Sequence, residues 1–244
     1  MRINKLSGNA LKILGCLFML CDHIGMILLQ DLIILRVIGR LAFPIFAFFI
    51  AEGCKYTHNK FKYFVLILLM GIAFFGAQYF ATGVVMLNIF LVFSCSILLI
   101  YILDFVKLSC FSPDKNASKI IISILLFCSL IAAFYILSLY VIVDYGFWGI
   151  MLAVFFSLVD FSMLEKKSNI AICVDKLYCK LLLGLICLVL VSITAVLPYE
   201  WVSFFSLPIL LLYSGERGKL KLKYFFYVFY PVHIAILYGI SMLL

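Results

Sequence analysis

The sequence predicts an all-α protein, a polytopic transmembrane helical bundle of about nine spans with the N-terminus cytoplasmic and the C-terminus outside. Three observations predict it. The 244 residues are 67% hydrophobic and 12% charged, whereas soluble domains run nearer half apolar and about a quarter charged. Mean hydropathy is +1.27, and too little polar surface remains to cover a water-facing core. The apolar runs are continuous rather than alternating, which excludes a transmembrane β-barrel.

Polar punctuation divides the chain into spans of roughly the 20 residues a bilayer requires. They are Ala10–Leu29, Leu32–Ala51, Tyr63–Phe80, Val84–Val106, Ile120–Tyr140, Gly146–Met163, Leu181–Leu197, Trp201–Tyr213 and Tyr224–Met242. The first is long enough to span and lacks the cleavage signature of a secretory leader. The eighth is short, and forms a helical hairpin with the seventh around Pro198-Tyr199-Glu200. The loops are short, so a single transmembrane domain covering 1–244 is expected, with no separate soluble part.

Charge orients the bundle. One set of loops carries Arg2, Lys5 and Lys12; Lys55, Lys60 and Lys62; Lys107, Lys115 and Lys119; Lys166, Lys167, Lys176 and Lys180; and Arg217, Lys219, Lys221 and Lys223. The alternate set, Gln30-Asp31, 81–83, 141–145 and 197–200, carries neither Lys nor Arg. Strict alternation is the positive-inside pattern for an odd number of spans. It also accounts for the net charge of +8, so no nucleic-acid partner is expected. The nine cysteines form no CxxC pair, and no metal is expected.

Ionisable residues inside spans mark the chemistry, because each needs a partner or a wet cavity. Arg36 and Arg40 lie four apart in the second span and share a helix face. Asp22 and His23 lie within the first span. Counted at helical rise from the outer surface, Arg36 lies roughly 6 Å deep, Arg40 roughly 12 Å, and Asp22 and His23 roughly 9–11 Å. A short connection makes the two helices antiparallel neighbours, so the four groups converge. Asp22 and His23 point about 100° apart; Asp22 is therefore expected to anchor an arginine and leave His23 free. Asn88, Asp144 and His233 add polar groups in the bundle, and Glu52 ends the second span on the cytoplasmic side. Gly39, Gly53 and Gly71 are read as sites of close helix approach. Interhelical ties are the structural alternative for the charged pairs, and a hydrogen bond to a neighbouring helix is the alternative for His233.

These residues carry a resemblance. Met19-Leu20-Cys21-Asp22-His23-Ile24-Gly25 and the run Leu35-Arg36-Val37-Ile38-Gly39-Arg40-Leu41-Ala42-Phe43-Pro44-Ile45-Phe46-Ala47-Phe48, continuing through Ala51-Glu52-Gly53 to Tyr56-Thr57-His58-Asn59, resemble the motifs of the TraX family. Weaker echoes follow in Asn88-Ile89-Phe90, Asp144-Tyr145-Gly146, Gly215-Glu216-Arg217-Gly218 and Phe226-Tyr227-Val228-Phe229-Tyr230-Pro231-Val232-His233. The family's namesake is a bacterial inner-membrane protein that acetylates the pilin N-terminus.

The resemblance implies a cell-membrane acetyl- or acyltransferase that takes its acyl group from acetyl-CoA or another acyl-CoA. The acceptor is an unidentified protein or glycan amine or hydroxyl, reached from the outer face. Here Gly76-Ala77-Gln78-Tyr79-Phe80 departs from the Pro-containing polar segment common in relatives, so pilin is not assumed as acceptor. Catalysis would rest on Asp22, His23, Arg36, Arg40 and His233. His23 is the expected base and His233 its alternative, with Arg40 facing the oxyanion and Asp22 holding Arg40. Asn88, Asp144 and Glu52 are the substrate-binding candidates. Lys55, Lys60, Arg217 and Lys219 are candidates for the donor's phosphates. An ion-coupled carrier using the same charges is the competing class, and a membrane scaffold a third. Absence of an inverted repeat argues against the carrier, and the cost of so many buried charges argues against the scaffold.

Overall fold

The computed structural model describes residues 6–111, 116–164, 169–195, 197–220 and 222–243. Eleven α-helices and a 3-10 helix account for nearly all of the regular structure. Among the described residues there is also one pair of two-residue strands, β1 (Met86–Leu87) and β2 (Ile142–Val143), in parallel register, and an isolated bridge between Leu6 and Tyr213. The chain divides into two compact units, Met1–Phe49 with Ala195–Leu244, and Ile50–Thr194.

In the first unit, α1 (Gly8–Ile27) is followed after a short turn by α2 (Ile33–Gly39). The Ser7 hydroxyl caps α1 by accepting from the Ala10 amide at 3.3 Å. The loop 214–220 folds over the same helix end. Glu216 and Arg217 carbonyls accept from the Gly8 and Asn9 amides at 2.8 and 2.9 Å, satisfying donors that have no partner within the helix. Two glycines set the approach of α1 to α2. A Cβ on Gly25 would meet Leu35 Cβ at 2.9 Å, and one on Gly39 would run into the Asp22 side chain.

The second predicted span is not one continuous helix. It breaks at Arg40-Leu41, and α3 (Ala42–Tyr56) begins immediately after. Pro44 is the reason: it has no amide to donate to the Arg40 carbonyl, and its ring would crowd that carbonyl. In the first turn of α3 the missing donor is harmless. The chain tightens instead, with Arg40 N and Leu41 N donating three residues back at 3.3 and 3.2 Å. The first unit closes with the 3-10 helix Glu200–Phe205, α10 (Ser206–Leu211) and α11 (Lys223–Ser241), the last packed along α1.

In the second unit, α4 (Lys60–Thr82), α5 (Ile89–Phe111), α6 (Ala117–Tyr140), α7 (Gly146–Ser157), α8 (Asn169–Val174) and α9 (Leu177–Thr194) follow in order. Central α5 packs against α4, α6 and α7, and α7 against α9. Its core holds Val92, Ile97, Leu99, Ile150, Leu152 and Leu188, all essentially inaccessible. By contrast α6 leaves Ile121, Ile122, Leu125 and Leu139 exposed, an apolar face suited to lipid. Asn59 and Asn116 cap α4 and α6, each accepting a backbone amide three residues on.

Nine spans were predicted. Six helical stretches among the described residues are long and apolar enough to cross a membrane: Gly8–Ile27, Ile33–Tyr56, Lys60–Phe80, Ile89–Phe111, Ala117–Tyr140 and Leu177–Thr194. Three further apolar helices, Gly146–Ser157, Glu200–Leu211 and Phe225–Ser241, are shorter. Arg2, Lys5, Lys115, Lys166, Lys167 and Lys221 of the predicted basic loops lie outside the described residues.

The α1–α2 contact gives a first prediction. Gly39→Ala pushes a methyl into Asp22 and destabilises the protein by about 1–3 kcal/mol, measured as a lower unfolding midpoint in detergent. An unchanged midpoint would show that the contact yields freely.

Candidate functional site

The close approach of α1 and α2 delivers Asp22 to both arginines. Arg36 Nη1 lies 2.9 Å from Asp22 Oδ2, and Arg40 Nη2 lies 2.6 Å from Asp22 Oδ1. Arg40 Nη1 reaches a second carboxylate, Glu200 Oε1, at 2.9 Å, and its Nε donates to the Arg36 carbonyl at 3.4 Å. Arg40 is thus clamped between α1 and the 3-10 helix, at 6% exposure. Two guanidinium groups and two carboxylates make the cluster neutral, the condition under which buried charges are tolerated. One arginine is expected on Asp22, and the structure places two there. Glu200 had been counted only as part of an outer loop.

The two arginines are held to different extents. Arg40 spends Nε, Nη1 and Nη2 on protein acceptors. Arg36 is held through Nη1, and among the described residues its Nε and Nη2 meet no other acceptor. Arg36 thus spends fewer of its donors on described protein acceptors than Arg40 does.

The two histidines are hydrogen-bonded to each other, so His23 is not free. His23 Nδ1 lies 2.7 Å from His233 Nε2, and His233 Nδ1 lies 2.6 Å from the Phe229 carbonyl oxygen. A carbonyl only accepts, so His233 Nδ1 carries the proton. In the neutral pair His233 Nε2 then accepts, and His23 Nδ1 must donate. His23 is left with an unprotonated Nε2. Packing fixes the arrangement: the Phe229 ring stacks on His233 at 4.8 Å, and Tyr230 lies edge-on to His23 at 5.8 Å. His233 is buried and His23 half-buried, so the outer end of the pair is the more accessible one.

The remaining candidates are spread through the fold. Asn88 is buried; its oxygen accepts from Phe90 and Leu91 amides at the start of α5, and its nitrogen donates to the Gly71 carbonyl at 2.9 Å. It ties α4 to α5 and caps a helix. Asp144 N donates to the Leu87 carbonyl at 3.0 Å, just before Tyr145 at φ 59. Arg217 and Lys219 are exposed on the loop over the α1 start.

Glu52, Lys55 and Lys60 belong instead to a charged network within the 50–194 unit. Lys180 Nζ lies 3.2 Å from Glu52 Oε1 and 2.7 Å from Asp160 Oδ2, while Lys55 Nζ approaches the same Asp160 oxygen at 3.4 Å. Lys60 Nζ pairs with Asp104 Oδ2 at 3.0 Å. Lys107 Nζ donates to the Ser157 and Asp160 carbonyls at 2.6 and 2.8 Å, closing the end of α7. Lys107 and Lys180 belong to the basic loops of the expected topology, yet both are buried. Asp104 and Asp160 were missed, although both lie inside predicted spans.

Helical spans carrying a neutralised charge cluster beside a hydrogen-bonded histidine pair define a polytopic membrane protein with a built polar site. A family model described as TraX protein matches residues 7–241, and the chain belongs to the TraX family. It is 28% identical over 253 residues to the "Probable fimbrial assembly protein FimC, serogroup H1" of Dichelobacter nodosus, a match covering 98% of this chain and 97% of that protein. No solved structure matches it.

Arg40→Ala removes the cation from Glu200, whose other oxygen is already buried without a hydrogen-bond partner among the described residues. It is expected to destabilise by about 3–5 kcal/mol, and Arg36→Ala by less, because Asp22 keeps Arg40. Thermal unfolding in detergent measures both. An Arg40→Ala protein that melts with wild type would show that the clamp contributes nothing.

Proposed function

We propose that this protein is a cell-membrane acyltransferase that moves an acetyl group from acetyl-CoA to an amine or hydroxyl of a surface acceptor. The family membership supports this reading, and the name of the fimbrial relative points to a pilin-type N-terminus as the acceptor to try first. The observation that carries it is the His23–His233 hydrogen bond, which leaves His23 Nε2 as a fixed, unprotonated base.

His23 Nε2 takes the proton from the attacking amine as nitrogen adds to the thioester carbonyl. It returns that proton to the sulfur as the carbon–sulfur bond breaks, so the products are the acylated amine and a free thiol. Through Nδ1, His23 is steadied by His233 and the Phe229 carbonyl as positive charge develops on its ring. Arg36 Nε and Nη2 are the donors available to the developing oxyanion. Arg40 positions the site by holding Asp22, and the neutral cluster keeps water-like polarity beside the base within an apolar bundle.

The proposed topology has nine crossings, the six long apolar helices plus the three shorter ones, with the N-terminus inside and the C-terminus outside. The alternation of basic and uncharged loops supports it.

The test is release of free CoA thiol from acetyl-CoA by the purified protein in detergent. His23→Ala is expected to lower release by about 10²–10⁴-fold, the range of general base catalysis. His233→Ala should lower it less, because the base survives but its orientation does not. Full release from His23→Ala would remove His23 from the chemistry, and no release or donor binding by wild type would favour the ion-coupled carrier.

A further inference from the structure

The charged network of the 50–194 unit surrounds a cleft of about 220 Å³, whose walls include Cys54, Lys55, Lys60, Asp104, Ser157 and Asp160. Pockets that enclose a whole drug-sized ligand run roughly 300–1,000 Å³. This one therefore suits a single group of a larger ligand.

The distribution of charge within it is uneven. The carboxylates lie deeper, with Asp160 and Asp104 side chains 9% and 11% exposed, against 19% for Lys55 and 46% for Lys60. A group entering the cleft meets ammonium first. The two carboxylates are also largely spoken for. Asp160 Oδ1 accepts from the Ser162 amide at 2.9 Å, and Oδ2 takes Lys180 at 2.7 Å. Lys55 sits on that same Oδ2 only at 3.4 Å. Lys55 is thus the loosely held cation: it can turn to an incoming anion while Lys180 continues to neutralise Asp160. Lys180 is in turn fixed from its other side by Glu52, so the frame persists when Lys55 leaves. Lys60 projects from the start of α4 above Asp104, half-exposed, and supplies the second cation.

We propose that this cleft is an anion subsite that takes a phosphate group, with Lys55 and Lys60 as its ligands and Glu52–Lys180–Asp160 as its rigid frame. The phosphate arrives on a soluble ester such as a nucleotide-type donor or on the headgroup of an anionic lipid. The subsite stands on the cleft geometry and does not depend on acyl transfer.

The experiment uses the full chain in uncharged detergent, with sodium pyrophosphate as probe against sodium chloride at equal ionic strength. Pyrophosphate is expected to raise the unfolding midpoint saturably. Lys55→Gln and Lys60→Gln should each weaken the apparent affinity about tenfold, the loss of one charge-assisted contact. Exposed Lys62→Gln, which does not line the cleft, should behave as wild type. No saturable shift, or equal shifts in all three variants, overturns the proposal. Reconstitution then separates the sources. Competition with pyrophosphate by CoA in phosphatidylcholine nanodiscs identifies a soluble ester. Competition on adding phosphatidylglycerol identifies a headgroup. Competition by neither leaves an adventitious ion only, and overturns the proposal as well.

Discussion

Arg40 holds the first unit together chemically. In a low-dielectric bundle a guanidinium without a carboxylate is intolerable, and so is a carboxylate without a cation. Arg40 answers both needs at once by bridging Asp22 on α1 and Glu200 on the 3-10 helix. Elements far apart in sequence must therefore be in register for either acid to be buried. The glycine contacts between α1 and α2 make that register possible, because a methyl at Gly39 would occupy the space of the Asp22 side chain. The break before Pro44 ends α2 at Gly39 and leaves Arg40, which forms the bridge, as its C-cap.

The placement of His23 follows from this frame. Asp22 and His23 are adjacent, so an Asp22 pinned by two arginines fixes the backbone from which His23 projects. The imidazole turns away to His233 on α11, and the Phe229 carbonyl sets the direction of the chain of hydrogen bonds. Structural charge pairing and the proposed base thus occupy neighbouring positions but separate tasks. The network of the 50–194 unit shows the same economy: Lys180 and Lys107 are buried supports, while Lys55 and Lys60 stand nearer the surface.

Much of this was legible in the sequence. Composition and continuous apolar runs require a helical membrane protein, and counting depth along two joined helices brings Asp22 to Arg36 and Arg40. Gly39, Gly53 and Gly71 lie where side chains of neighbouring helices press close, at Asp22, Tyr63 and Leu91, but Gly184, pressed by Phe156 closer still, carries no such signal in the sequence. Other features escaped for physical reasons. Pro44 signals a broken helix, but the unbroken apolar run around it reads as one span. Glu200 sits between Pro198 and Trp201, where local pattern says loop; only its distant partner Arg40 shows that it is buried. Asp104 and Asp160 carried the same signal as Asp22, an acid inside a predicted span. Their cations read as loop topology (Lys107 and Lys180) or as loop topology and a phosphate contact (Lys60), which leaves the pairs unassembled. The His23–His233 contact joins residues 210 apart, and no periodicity reports such a separation.

The chemistry rests on which ring nitrogen of His23 is bare. Nitrogen-15 spectra of protein labelled in its three histidines, assigned by removing His58 and His233 in turn, report this directly at neutral pH. The account predicts a protonated Nδ1 and an unprotonated Nε2 on His23, with the protonated Nδ1 of His233 beside it. An unprotonated Nδ1 on His23, with its proton on Nε2, would contradict the hydrogen-bond chain and with it the base on which the proposed transfer depends.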